Sequence, residues 1–336
     1  MKATKMRILT GHRPTGPRHI GHLVGTIQNW VKLQQTDECF FLIADLHVLT
    51  TDFQNPDKVQ ANSLAVLTDW LAAGVDPQQA TIILQSAVPE HAQLSLLLSM
   101  IVKEARLRRI PTYKEQIKEL NLQPSLGLLT YPVLQTADIL LYKGVAVPVG
   151  EDQLPHLELA REIARRFNQL YGDTFPEPNA LLSSTPRLPG TDNRSMHASY
   201  GNTILLQDTP EITTKKVMNM YTDPGRLHTT DPGNVENNPV FTYLDIFEPN
   251  IDLVMEFKSR YRQGKIGDIE IKQHLAQVLN QYLAPIRSKR SELSGHTDYL
   301  LEILREGSHK ARKIAQTTFA EVEEKMGLTL KHTISN

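Results

Sequence analysis

The segment His19-Ile20-Gly21-His22 places two imidazoles three residues apart, on one face of any helix they enter. Beside the exposed N–H groups of a helix N-terminus, such rings can donate hydrogen bonds to phosphate oxygens. Gly11 is expected to permit a turn that a side chain would forbid, and Gly21 to let a flat ring approach the helix backbone. With 12 His and 18 Gly in 336 residues, a chance His-x-Gly-His arises only ~0.02 times. The four residues are therefore read as a site and not as two surface histidines.

A second group lies far along the chain. Leu128 to Leu141 is strongly apolar yet carries Gln135 and Asp138. A carboxylate among Ala137, Ile139 and Leu140 is costly to bury unless it is paired. Val147-Pro148-Val149-Gly150-Glu151-Asp152-Gln153 then brings two acids and an amide to the start of a helix. Helix capping accounts for one acid, but less well for Gln153 or for His156.

The elements that must hold these residues alternate in type. Ile8-Leu9-Thr10 reads as a short strand that stops at Gly11, followed by a helix with Ile20, Leu23, Val24, Ile27, Trp30 and Val31 on one side. Cys39–Ala44, Ala80–Leu84 and Ala146–Val149 are further strand candidates with helical stretches between them. Such alternation predicts a doubly wound α/β domain with a parallel sheet. Residues 175–203, broken by proline and glycine, read as a long surface segment. Asp208-Thr209-Pro210-Glu211 has the form of a helix start, and residues 269–283, 297–306 and 308–326 read as helices, so the second part is expected to be mostly α-helical.

Composition narrows the options. Lys and Arg (36) balance Asp and Glu (37), so no global basic field points to nucleic acid and any RNA contact must be local. The single Cys39 excludes an internal disulfide and a zinc site built on several thiolates. No apolar run approaches the roughly 18–20 residues of a membrane span, and the opening residues are unlike a secretory leader, so the cytoplasm is the expected compartment and no membrane is an expected partner.

His19-Ile20-Gly21-His22 resembles the HIGH motif of class I aminoacyl-tRNA synthetases. TGxRPTGxxHIGHxVG, YPVxQxADILLY, VPVGEDQxxHxEL and RxFN together resemble the bacterial tryptophanyl-tRNA synthetases over nearly the whole chain. The resemblance implies a Rossmann-like catalytic domain over 1–204, with a helical insertion at about 88–127 and a mobile loop at 191–200. A helical anticodon-binding domain over 205–330 would follow. It also implies activation of tryptophan with ATP, carried with Mg²⁺, transfer to tRNA(Trp), no structural metal and a homodimer. The Trp-type contexts argue against tyrosyl specificity.

Residue by residue, the resemblance makes Asp138 the acceptor of the indole N–H. Tyr131 and Gln153 would hold the α-amino group, and Val147 and Val149 would wall the ring, with Leu9, Gln135 and His47 close by. Arg13, Pro14, Thr15, Gly21 and His22 would line the ATP site, Gly150, Glu151 and Asp152 would surround the ribose, and His19 and His22 would act on the phosphates. Flanked by Leu188, which would also line the ATP site, Ser195-Met196-His197-Ala198-Ser199 matches the family's Lys-Met-Ser-Lys-Ser stretch, yet neither lysine is present. Arg194 and His197 are expected to substitute in part; Lys114 lies on another segment. The missing lysines leave one alternative, a paralogue that binds tryptophan, ATP or RNA with weak or no activation. Arg287, Lys289, Arg290, Arg305, Lys310, Arg312 and Lys313 form a locally basic stretch offset by Glu292, Asp298, Glu302 and Glu306.

Overall fold

The fold is seen in a computed structural model that describes residues 5–119, 123–182, 188–196, 200–226 and 228–329. The chain opens with β1 (Arg7–His12), α1 (Ile20–His22), a π-helical turn (Leu23–Ile27) and α2 (Gln28–Leu33). Next come β2 (Glu38–Ile43), α3 (Asp45–Asp52), α4 (Asp57–Ala72) and β3 (Ala80–Leu84). Four helices follow: α5 (Glu90–Ser99), α6 (Glu104–Leu107), α7 (Pro111–Glu119) and α8 (Leu126–Leu141). The sheet is completed by β4 (Ala146–Val149), α9 (Leu154–Tyr171) and β5 (Asn179–Leu182). Helices α10 (Pro210–Met218), α11 (Pro239–Phe247), α12 (Ile251–Arg262), α13 (Asp268–Ser294) and α14 (Thr297–Lys325) make up the rest.

The five strands are parallel in the order β3-β2-β1-β4-β5. The alternation of side chains across the pleat explains why both faces are covered. Ile8, Cys39, Phe41, Ile43 and Ile82 enter one apolar cluster, while Leu9, Phe40, Leu42, Ile83 and Val147 enter the other. Strand order reverses at β1, with β2 on one side and β4 on the other. In open α/β sheets that switch point is where ligands bind, beyond the carboxyl ends of the strands. β1 is registered with β4 at Ile8 and Ala146, near their starts. Farther along, the Thr10 hydroxyl reaches the Pro148 carbonyl at 3.3 Å.

Three expectations need revision. β1 runs through Gly11 to His12, and Gly11 pairs with Leu42. The glycine is required by close approach and not by a turn: a Cβ there would sit 2.1 Å from the Leu42 carbonyl oxygen. The proline-rich segment contains a strand, β5, held by its ladder to β4 despite weak local propensity. Finally, the two short helices expected at 297–306 and 308–326 are one helix, α14, continuous across Gly307. That glycine packs against the β3 backbone, where a Cβ would meet the Ile82 carbonyl oxygen at 1.9 Å. Next to it the Ser308 hydroxyl accepts the Leu84 N–H at 3.0 Å, so α14 covers the open edge of the sheet. The expected start of α10 holds, with the Thr209 side chain accepting the Ile212 N–H.

Candidate active site

The end of β1 and the head of α1 face each other across a short turn. Thr15 N–H bonds the Arg13 carbonyl at 2.9 Å, and Gly16 takes a φ of 142° that favours glycine. The Arg13 guanidinium donates to the Thr51 hydroxyl of α3. Arg18 N–H donates to Asp69 at 2.7 Å, and Ile20 N–H to the Ile204 carbonyl at 2.9 Å. The two imidazoles lie close, their ring centroids 3.7 Å apart. His22 Nδ1 faces the His19 N–H at 3.4 Å. Burial, with His12, Arg18 and His19 nearby, holds His22 well below the ordinary imidazole range. A neutral His22 whose Nδ1 accepts carries its proton on Nε2, as a donor for an anionic ligand. Gly21 does admit its neighbours closely: a Cβ would stand 2.9 Å from Met196 Sδ and 3.0 Å from His19 Nδ1.

Asp138 lies at the centre of the second group and is 2% exposed. Its Oδ1 accepts from Gln85 Nε2 at 2.8 Å and from His91 Nδ1 at 2.6 Å, and its Oδ2 pairs with His47 Nε2 at 2.9 Å. His91 Nε2 in turn meets the Tyr142 hydroxyl at 2.8 Å. Burial alone would raise the pKa of this carboxyl. The hydrogen bond from His47 and the charge and hydrogen bond of His91 outweigh it, holding the group well below the usual carboxylate range. A carboxylate offers roughly four lone-pair sites, and three donors occupy them here, which leaves room on Oδ2 for one further donor.

Around this carboxylate the expected substrate residues converge unevenly. Leu9, Tyr131 and Val147 share one buried apolar cluster, with Val149 packed against it. The rings of His47 and Tyr131 are 6.4 Å apart. Gln135 Nε2 reaches Gln153 Oε1 at 3.4 Å, and Gln153 Nε2 donates to Asp152 at 2.9 Å. The Tyr131 hydroxyl is engaged by Thr112 Oγ1 at 2.6 Å and lies 3.3 Å from His156 Nε2. Gly150 sits close under Asp152, where a Cβ would be 2.7 Å from Oδ1.

His156, 2.6 Å from Thr112, carries a testable consequence. Burial pushes its pKa down from 6.5 to about 4. In the unfolded chain the ring protonates as pH falls through 6.5, while in the native fold it stays neutral until about 4. The stabilisation is therefore complete above pH 6.5 and is lost between 6.5 and 4; two to three pKa units correspond to roughly 3 kcal/mol. In urea titrations at several pH values, wild type should lose about this much more stability over that window than His156→Gln. Parallel curves would contradict the assignment.

The loop around Arg194, which the resemblance matches to the lysine-bearing motif, is anchored at its base. Leu188 is buried, the Tyr243 hydroxyl donates to the Pro189 carbonyl, and Asn202 Nδ2 bonds Asp192 Oδ1 and the Ser195 carbonyl. Asn193 has a φ of 67°. Arg194 bonds Asp192 through Nε at 2.7 Å and lies over the Tyr200 ring, 5.1 Å from its centroid. His197, Ala198 and Ser199 lie outside the described residues, as does the side chain of Glu151.

Several contributors escaped the sequence reading. Gln85 follows the end of β3, the position where an α/β sheet presents ligands, which is a usable signal. His91, His12 and Thr112 gave none, because each has a partner more than 40 residues away, and Thr26 gave none because its role depends on His12. Three of the seven cations in the basic stretch near the carboxyl end are tied to other elements of the fold, while Lys289 and Arg305 pair with Glu292 and Glu302 on the surface. Arg290 binds Asp69 at 2.7 Å, Arg287 binds Thr213 at 2.7 Å, and Arg312 binds Glu90 at 3.1 Å.

Comparison with known proteins places this geometry. The profile of the tRNA synthetases of class I (W and Y) matches residues 1–284. The tryptophan–tRNA ligase of Treponema pallidum is 48% identical over 97% of this chain and 98% of its own length. That of Aquifex aeolicus is 42% identical over 96% of this chain and all of its own. A crystal structure of the Campylobacter jejuni tryptophanyl-tRNA synthetase complexed with ADP and tryptophan superposes with a TM-score of 0.86 at 36% identity, covering 96% of this chain and 100% of that one. Nothing in these comparisons favours the weakly activating alternative. The chain thus belongs to the class I tRNA synthetases for tryptophan and tyrosine, on their bacterial tryptophanyl branch.

Proposed function

We infer that the protein activates L-tryptophan with ATP and transfers it to tRNA(Trp). The observation that carries this is the likeness to tryptophan–tRNA ligases over essentially the full length of both chains. The site supplies the physical reason. Indole has one donor and no acceptor, and Asp138 offers a buried, ionised acceptor with one lone-pair site to spare. Leu9, Val147 and Val149 give the ring its apolar walls, and Gln135, Gln153 and Tyr131 give the α-amino group polar neighbours.

Activation is an in-line attack of the tryptophan carboxylate on the ATP α-phosphorus. An O–P bond to the carboxylate forms as the bond to the pyrophosphate oxygen breaks, and no proton need move. Positioning and charge stabilisation therefore carry the rate. His22 donates from a neutral ring, His19 lies tilted beside it, and Arg13 adds charge just past the end of β1. Thr15, Pro14 and Gly21 shape the nucleotide turn, and Gly150, Glu151 and Asp152 take the ribose side. Mg²⁺ comes in on the phosphates; among the described residues no group of three His, Cys, Asp or Glu is placed to hold a metal.

Arg194, with His197, stands in for the absent lysines. Its pairing with Asp192 is exposed, and such pairs contribute only about 0–1 kcal/mol, so the guanidinium can turn to a pyrophosphate at little cost. Ser195→Lys with Ala198→Lys should raise the activation rate, by up to about 10²-fold if each lysine acts as a transition-state donor. Arg194→Ala with His197→Ala should lower it. An unchanged rate in the second variant would remove Arg194 and His197 from the mechanism.

Residues 1–204 form the catalytic part and 205–330 the helical, anticodon-reading part in this reading. Strands end at Leu182 and only helices follow Pro210 among the described residues. Because Arg287 and Arg290 are tied to Thr213 and Asp69, they are not counted among the residues that meet anticodon bases. Leu96 on α5 and Met100 just past its end, 61% and 66% exposed, support a homodimer, which sedimentation equilibrium would register at twice the chain mass. No helix among the described residues is long and apolar enough to cross a membrane, and the reaction itself belongs in the cytoplasm. ATP–pyrophosphate exchange with each standard amino acid tests the whole reading: exchange with tryptophan alone is expected, and exchange with tyrosine or none would refute it.

A further inference from the structure

His12 ends β1 and has no role in the reading above, yet both nitrogens of its ring are committed. The Trp70 indole can only donate, and its Nε1–H meets His12 Nδ1 at 3.2 Å. Nδ1 is therefore an acceptor, and the ring proton sits on Nε2. From there it is given to the Thr26 hydroxyl at 3.0 Å. Thr26 in turn gives its own proton to the His22 carbonyl at 2.7 Å. Direction is thus forced along the whole chain, from Trp70 through His12 and Thr26 to His22. Packing fixes the ring as well: its centroid lies 4.6 Å from Trp30, 5.7 Å from Trp70 and 5.0 Å from His22, the last edge-on. Burial keeps His12 well below the ordinary imidazole range, which preserves the neutral tautomer this chain requires.

The receiving end of the chain is unusual. Leu23–Ile27 is a π-helical turn, in which Gln28 N–H bonds the Leu23 carbonyl five residues back. Such turns widen a helix locally and recur at functional sites. Here the Thr26 hydroxyl occupies the carbonyl of His22 at the junction between α1 and the π turn. The last residue of β1 is in this way tied to the head of the helix across the gap where a triphosphate would lie.

We propose that His12, acting through the Thr26 hydroxyl, is a positioning residue that fixes the backbone of His22 and so aims its ring at the nucleotide phosphates. This rests on the reading of His22 as a phosphate donor. His12 and Thr26 act here through the His22 backbone, so the effect is on placement, and a misplacement of about 1 Å can cost up to 10²-fold in rate.

Thr26→Val removes the hydroxyl at nearly equal volume, and Thr26→Ser keeps it. In ATP–pyrophosphate exchange, Thr26→Val is expected to raise KM for ATP by about 10-fold with KM for tryptophan within about two-fold, and Thr26→Ser to restore wild-type values. His12→Phe should match Thr26→Val, and the double variant should be no worse than either, since both break one chain. Trp70→Phe, which frees the tautomer without touching Thr26, gives a second route should Thr26→Val fold poorly; it is expected to raise KM for ATP in the same selective way. Equal losses for ATP and tryptophan accompanied by a lowered melting temperature, or no change in a folded Thr26→Val, would overturn the proposal. His22→Ala separates the two levels. If it raises KM for ATP while a folded Thr26→Val does not, only the positioning role falls; if it leaves KM for ATP unchanged, the phosphate-donor reading falls and takes the proposal with it.

Discussion

Replacing Asp138 by asparagine should lower kcat/KM for tryptophan by about 100-fold or more, while leaving the affinity for ATP within about two-fold. The carboxylate accepts from Gln85, His91 and His47 and keeps one site for the indole N–H. Asparagine keeps the shape but turns one oxygen into a donor. Whichever way the amide is turned, its NH₂ then faces a donor: Gln85 and His91 on one side, or His47 and the indole on the other. His91 Nε2 is held by Tyr142, so that ring is poorly placed to turn away. ATP–pyrophosphate exchange with tryptophan varied at saturating ATP reads the first effect, and nucleotide titration reads the second. Equal KM values for tryptophan in wild type and variant would remove Asp138 from the pocket.

The second large effect concerns the strand from which the nucleotide turn departs. In Gly11→Ala the new Cβ would lie 2.1 Å from the Leu42 carbonyl oxygen and 2.8 Å from Leu42 Cβ. The obstacle is backbone inside the β1–β2 ladder and cannot rotate away, so β1 must shift. A cost of about 3 kcal/mol or more is expected, seen as a lower urea midpoint. Activity should fall with it, because His12 and the turn to His19 follow directly. Gly25→Ala is the contrast: nothing lies within 4 Å of its Cβ, and alanine in a helix interior is favoured over glycine by about 0.5–1 kcal/mol. If the two variants were equally stable, the close approach at Gly11 would be disproved.

Local pattern carried the sheet a long way. The apolar runs Ala80–Leu84 and Ala146–Val149 are strands with those same bounds, because a strand buried on both faces has no polar positions to blur its ends. Gly11 misled, since a glycine that breaks a strand and one that lets a neighbouring strand come close look identical in sequence. β5 was hidden for a related reason: four residues among prolines have little propensity, and pairing with β4 decides their conformation. At the site, His19, His22 and Asp138 were legible because each is anomalous in its own segment. The partners that fix their chemistry were not. Gln85 and His91 lie 53 and 47 residues from Asp138, and Trp70 lies 58 from His12. No local period brings such pairs together; only the folded sheet does. In the basic carboxyl-terminal stretch the acids nearby in sequence are only part of what offsets the charge: Arg290 and Arg312 reach Asp69 and Glu90, 221 and 222 residues away.

The most direct measurement compares tryptophan with its benzothiophene analogue, which keeps the size and flatness of the ring but replaces N–H by sulfur. In ATP–pyrophosphate exchange the wild-type protein should use the analogue about 100-fold less well or worse, because a buried carboxylate is left with an unfilled acceptor site. Asp138→Asn should lose most of that discrimination. Equal use of the two amino acids by the wild-type protein would show that no acceptor reads the indole N–H, and the assignment of this pocket would fail.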